Sequence, residues 1–333
     1  MLQGVRHFGE RLRVVYTPHG GYTQELRAGG QISVAFQEAA LVKHLERLDF
    51  ANAEPLLAEL DVQPGVEQLA AYAAARLNFD FASAQGHLQG ALRDGDRPVR
   101  HFVKRNRALL TLETLTKIQD EPLRPDRLLQ LLGELYWNAS ITYEHRRYAD
   151  FLGRVYRFQE AVLRYLVEVI FDLSTDLHPA QYEETITAWT STIQANASLL
   201  DYLETQENEK KPLNWREINR PTFQRLVSYA IKQEGKNAYG AGLLAVKKLP
   251  LDKYKALFDR LNGLERLVAL RHRTIIGHDF QGVSKELLDE NIQLAKNEQS
   301  SVDRLMRILL ILGVDVRQNP YELVAELILS RLR

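Results

Sequence analysis

The sequence predicts an all-α protein, and three observations carry that reading. Apolar residues recur at three- and four-residue spacing through most of the chain after Ile32. The breaks between those runs fall on proline or glycine, as at Arg93–Pro98, Pro122–Pro125, Gly313 and Pro320. The one strand-like stretch, Leu12 to Tyr16, is short and lies ahead of all of them.

In order, residues 1–33 stand apart. Leu12-Arg13-Val14-Val15-Tyr16 has the β-branched and aromatic content of a strand, with turns expected at Pro18–Gly21 and Ala28–Gly30. One strand is not stable alone. Residues 34–121 read as a helical linker module with an internal echo: Asp49-Phe50-Ala51-Asn52-Ala53 recurs as Asp80-Phe81-Ala82-Ser83-Ala84, followed by Leu56 and Leu88. Pro98 suits the first turn of a new helix. The basic run Arg100 to Arg107 that follows fits a solvated helix face better than an RNA-binding one.

Residues 122–333 read as a helical bundle. Leu128, Leu132, Leu135 and Tyr136 mark one helix, and Tyr148 to Val169 a longer one in which Arg157 and Glu160 are spaced to pair. A helical insertion is expected at about 178–211. Trp215 reads as a core anchor ahead of a helix through Leu226 and Ile231. Lys247-Lys248 lacks the glycine array and the Ser/Thr of a phosphate-cradling loop, which argues against an NTPase. A short helix is expected after Ser284, then an amphipathic stripe from Ile292 to Leu312, then a last helix from Tyr321.

The chemistry is concentrated in Leu264 to Phe280, an apolar helix pattern carrying Arg271, His272, Arg273 and His278. On a continuous helix, Leu264, Val268, Arg271, Ile275 and His278 would share one stripe. Seven residues turn through about 700°, so Arg271 would face as His278 does, whereas Arg273 would lie roughly 140° away. Either arginine is a candidate partner for His278.

The residue types limit what such a site can do. The chain has no Cys, and no His and carboxylate residues stand at metal-binding spacing, which points away from metal-assisted hydrolysis and leaves no cofactor implied. Imidazole exchanges protons near neutral pH. Guanidinium binds phosphate and offsets charge on a phosphorane. Together they suit RNA transesterification, in which the 2′-hydroxyl attacks its own phosphate. The chain carries 43 basic and 43 acidic residues, so no global positive field exists to hold a duplex, and a single-stranded substrate fits better.

The run Arg271-His272-Arg273-Thr274-Ile275-Ile276-Gly277-His278 resembles the signature of HEPN ribonucleases, an arginine followed after four to six residues by histidine. More narrowly, it resembles the HEPN half of the type III CRISPR accessory ribonucleases. The segment Tyr148–Asp172, with Tyr156-Arg157-Phe158-Gln159-Glu160 at its centre, is similar to the long helix before the motif helix in that family. The resemblance implies a metal-independent endoribonuclease of antiviral defence with Arg273, His278 and Arg271 as catalytic residues and His272 and Thr274 binding substrate. It implies a homodimer whose two motif helices complete the site, with helices on either side enclosing each. It also implies a cyclic oligoadenylate activator bound by a Rossmann-like CARF domain, of which residues 1–33 look like the last strand and exit; a split or truncated gene, or a partner chain that supplies the missing sheet, would account for the rest. The runner-up is a non-catalytic helical module that binds RNA or protein. The first residues lack the apolar core of a signal peptide, and even Ile308–Val314 is flanked by Arg307 and Asp315. The expectation is a soluble cytoplasmic protein without membrane contact.

Overall fold

The computed structural model describes residues 14–16, 24–26, 29–116, 125–175, 182–205, 215–235, 250–292 and 294–332. Among them, all regular structure is helical except one antiparallel pair of three-residue strands, β1 (Val14–Tyr16) and β2 (Gln24–Leu26), with Val14 opposite Leu26. The turn expected at Pro18–Gly21 lies outside the described residues. Gly29 and Gly30, read as a second turn, instead begin α1 (Gly29–Glu46). The chain forms two compact units, Met1–Thr116 with Asn319–Arg333, and Lys117–Gln318.

The first unit continues through α2 (Phe50–Glu59), α3 (Pro64–Leu77), α4 (Phe81–Asp94), α5 (Arg97–Arg105) and α6 (Arg107–Leu110). The sequence echo is a repeated helix reversal. Leu48 and Phe79 occupy the left-handed region at φ 57° and 60°. The next N–H groups, of Asp49 and Asp80, reach back to the carbonyls of His44 and Ala75, as in a Schellman turn. Phe50 and Phe81 then bury at the head of the new helix, with Ala53 and Ala84 one turn on. The copies differ in capping. The Asp80 carboxylate accepts the Ser83 N–H at 3.0 Å, whereas Asp49 engages the His44 ring and the Asn52 amide. On α5 the basic run is a solvated face, since Val99 and Val103 are buried while Arg100, Lys104 and Arg105 are exposed.

The second unit comprises α7 (Pro125–Glu144), α8 (Tyr148–Phe171), α9 (Tyr182–Gln194), α10 (Ala197–Thr205), α11 (Arg220–Gly235), α12 (Leu251–Asn262), α13 (Glu265–His272), α14 (Lys285–Glu290) and α15 (Ser301–Ile311). Its centre is α8, whose residues from Tyr165 to Phe171 are all buried, apolar but for Glu168, which accepts the Thr175 hydroxyl at 2.6 Å. Helices α7, α11 and α13 pack against it. The expected pair of Arg157 with Glu160 forms at 2.9 Å, and Arg164 joins it. The segment expected as an insertion is anchored to α11. Trp189 is fully buried, donates its indole N–H to the Trp215 carbonyl at 3.0 Å and meets Phe223 edge-on.

Two helices depart from the expected pattern. The Ile292–Leu312 stripe is helical only from Ser301, because the Ser300 hydroxyl caps that helix by accepting the Asp303 N–H at 3.1 Å. Upstream, the Glu298 carboxylate, fully buried, accepts the Ala295 N–H at 2.9 Å and the Arg304 Nε–H and Nη2–H at 2.9 and 2.7 Å, with Arg260 Nε at 3.3 Å. Gly263 makes room for this arrangement, since a Cβ there would stand 1.9 Å from Arg304 Nη1.

The last helix, α16 (Pro320–Leu332), belongs to the first unit and packs on α3 and α1. Two polar contacts hold it there. The buried Arg76 guanidinium lies 5.4 Å from the Tyr321 ring, and Arg331 donates to Asp96, which also caps α5 by accepting the Val99 N–H at 3.0 Å. Asp96→Ala removes the α5 cap and the Arg331 contact together. It should lower stability by about 1–2 kcal/mol, the cost of a lost N-cap, read as a lower urea midpoint. Asp96→Asn, which keeps an accepting oxygen, should retain most of it.

Candidate active site

The motif helix ends earlier than its sequence pattern implies. Helix α13 stops at His272, Arg273 is its C-cap, and the chain turns through residues 273–279. Three backbone bonds fix this turn: Gly277 N–H to the Thr274 carbonyl at 2.8 Å, His278 N–H to the His272 carbonyl at 3.0 Å, and Gln281 N–H to the Arg273 carbonyl at 2.8 Å. The return is possible because residue 277 has no side chain. A Cβ there would stand 2.3 Å from the Arg271 carbonyl oxygen and 2.6 Å from the His272 Cα. The shared stripe of Arg271 and His278 therefore does not exist, and helix angles decide nothing about which arginine serves His278.

What the turn achieves is a stack. The rings of His272 and His278 lie nearly parallel, at 14°, with centroids 5.8 Å apart. The edge of Tyr156, on α8, meets His272 with centroids 6.5 Å apart. The Arg271 guanidinium lies 4.6 Å from the Tyr156 ring centroid, within cation–π range, and those of Arg157 and Arg220 lie 5.5 and 5.8 Å from the same ring. Tyr156 is thus the hub of the cluster, and only the packing of α13 on α8 reveals it. The signal in the sequence was an aromatic between basic residues at the centre of the long helix.

Helix α13 is held in place by a polar network. Gln159, buried on α8, donates its amide to the Leu261 carbonyl at 3.0 Å and to Glu265 at 2.7 Å. Arg220 Nη1 donates to Gln159 at 2.9 Å and to both Glu265 oxygens at 2.9 and 3.0 Å. Farther along, Ile276 seats against Gly153 of α8, 3.3 Å from where a Cβ would be.

The positive charges differ in how they are compensated. Arg220 is paired with Glu265 and Arg157 with Glu160. Among the described residues, Arg271 and Arg273 have no carboxylate partner. Arg271 has a buried Nε–H without an acceptor, and its Nη2 reaches only the Ile276 carbonyl at 3.4 Å. Arg273 is exposed, as are its neighbours Ile275 and Phe280, which are 72% and 87% accessible. The His272 pKa is lowered from the ordinary histidine value, by desolvation first and then by the charges of Arg271, His278 and Arg220.

Two further residues of the run serve the turn. Thr274, expected to bind substrate, is fully buried, and its hydroxyl donates to the Arg271 carbonyl at 2.8 Å. It finishes the helix rather than meeting a ligand. The Asp279 carboxylate accepts the Phe280 N–H at 2.8 Å and so closes the turn. Among the described residues, no three His, Asp or Glu side chains come together as a ligand set for a metal. No described helix is long and apolar enough to cross a membrane. No protein-family model, curated protein or solved structure matches the chain.

Proposed function

We propose that this chain is a metal-independent endoribonuclease of the HEPN type, cleaving single-stranded RNA to leave a 2′,3′-cyclic phosphate and a 5′-hydroxyl. The observation that carries the reading is the stacked His272–His278 pair beside Arg271 and Arg273, which have no carboxylate partner among the described residues. Imidazoles supply and accept protons near neutral pH, and a guanidinium left uncompensated beside them is suited to an anion. In this reading, Arg271, held on Tyr156, binds the scissile phosphate, and His278 transfers a proton in the reaction.

Arg273 lies beside the exposed Ile275 and Phe280. A two-fold contact through these side chains would bury them and bring Arg273 to the partner's phosphate, so the working enzyme is a homodimer. By the family resemblance it acts in the cytoplasm in type III CRISPR antiviral defence, with cyclic oligoadenylate as the activator.

The test is cleavage of end-labelled single-stranded RNA in EDTA, with and without cyclic oligoadenylates, by the chain and its His278→Ala variant. Products with cyclic-phosphate ends, absent for the variant and for a DNA of the same sequence, support the reading. A folded dimer that cleaves under none of these conditions overturns it in favour of the binding module.

A further inference from the structure

Resting on the ribonuclease reading, we propose that His272 is a second catalytic residue, the base that takes the 2′-hydroxyl proton while His278 protonates the departing 5′-oxygen. One chain would then carry a complete acid–base pair, and the dimer would supply arginine rather than the second imidazole.

The argument begins with the turn. The His278 N–H bond to the His272 carbonyl, at 3.0 Å, and the close approach permitted by Gly277 fix the two rings in parallel, 5.8 Å apart by centroid. Both side chains are exposed, so both can reach one bound phosphodiester. In an in-line displacement the attacking and leaving oxygens occupy opposite apical positions on one phosphorus. Two rings side by side can address one oxygen each.

The surroundings assign the roles. Around His272 stand Tyr156 from α8, Arg220 from α11, Arg271 on its own helix, and His278 across the stack, with Arg157 on the far side of the contact at the Tyr156 ring. Arg157 and Arg220 are partly neutralised by Glu160 and Glu265, but Arg271 is not. Positive neighbours favour a neutral imidazole at 272, and its lowered pKa agrees. A neutral ring is what a base needs. Two charged rings so close would repel, so with His272 as the base the acid role falls to its stacking partner, His278.

The step balances. The O2′–H proton passes to His272 as the O2′–P bond forms. The P–O5′ bond breaks, and O5′ takes the proton from His278. His272 ends charged and His278 neutral, and exchange with water restores the pair.

His272→Phe tests this, because it keeps an aromatic ring in the stack but cannot accept a proton. Alongside the unsubstituted chain, kcat/KM for RNA is measured from pH 5 to 9, with folding checked by circular dichroism. The unsubstituted chain should give a bell-shaped profile. In His272→Phe the rate should fall about 100-fold or more, the scale of general base catalysis, with loss of the acidic limb that reports the base. His272→Asn should behave alike. If either folded variant cleaves within threefold of the unsubstituted chain, or slows with its acidic limb intact, His272 is only a shelf for His278 and the assignment fails. If the unsubstituted chain itself does not cleave, the ribonuclease reading fails and takes this assignment with it.

Discussion

Under the proposed ribonuclease reading, Gly277→Ala is expected to harm RNA cleavage nearly as much as removal of His278. General acid–base groups contribute about 10²–10⁴-fold, which sets the loss for His278→Ala. At position 277 the contact is with backbone, the Arg271 carbonyl oxygen at 2.3 Å and the His272 Cα at 2.6 Å, so no side-chain rotation relieves it. The turn must open, the His278 N–H bond to the His272 carbonyl is lost, and His278 leaves the stack. A displacement of about 1 Å in a reacting group costs on the order of 100-fold. Gly277→Ala should therefore lose about 100-fold or more in kcat/KM. The helices around α8 do not depend on this turn, so the thermal midpoint should change little. Cleavage within threefold of the unsubstituted chain would show that the fold-back does not position the chemistry.

The largest expected loss of stability is at Glu298. Its side chain has no exposed surface and meets Arg304 at 2.7 Å and Arg260 at 3.3 Å. Glu298→Ala leaves the Arg304 guanidinium, whose side chain is 4% exposed, without its carboxylate and frees the Ala295 N–H. Breaking a buried pair from one side costs about 3–5 kcal/mol, seen as a lowered urea midpoint with folding of the second unit impaired. The pH dependence follows from the same contacts. Burial alone would raise the carboxyl pKa, but the Ala295 N–H, the Arg304 hydrogen bonds and the charges of Arg304 and Arg260 together hold it below the ordinary value of 4.5. A depressed folded pKa means that the unfolded chain binds the proton more readily. The contribution is therefore complete above pH 4.5 and is withdrawn as pH falls below it, through the folded value. Glu298→Gln should be less stable at neutral pH and should lose less on acidification. An acid dependence equal to that of the unsubstituted chain would contradict this account.

Much of the fold could be read from the chain because its determinants are local. Asp96 and Ser300 accept an N–H three residues on, and Pro64 and Pro98 stand in first turns; spacing of a few residues carries such information. The echo at Asp49 and Asp80 proved to be one helix reversal used twice, although Leu48 and Phe79 in the left-handed region gave no glycine to mark it. The stripe from Ile292 misled because periodicity registers burial rather than helix: Ile292 is buried but precedes the cap at Ser300.

The candidate site divides in the same way. Its composition was legible, since Arg271, His272, Arg273 and His278 lie within eight residues of chain and their chemistry belongs to the side chains themselves. Its shape was not. A helix through Phe280 fitted the apolar periodicity, yet α13 stops at His272, because Thr274 buries its hydroxyl on the Arg271 carbonyl and Gly277 permits the return. The hub, Tyr156, lies more than one hundred residues upstream and is brought to His272 only by the packing of α13 on α8. By itself, then, the sequence determined a largely helical chain with a cluster of Arg and His, because propensity, capping and titration are properties of residues and near neighbours. Tertiary packing alone decided which rings stack, which arginines remain uncompensated and which unit holds the last helix, because each depends on pairs of residues that only the folded chain brings together.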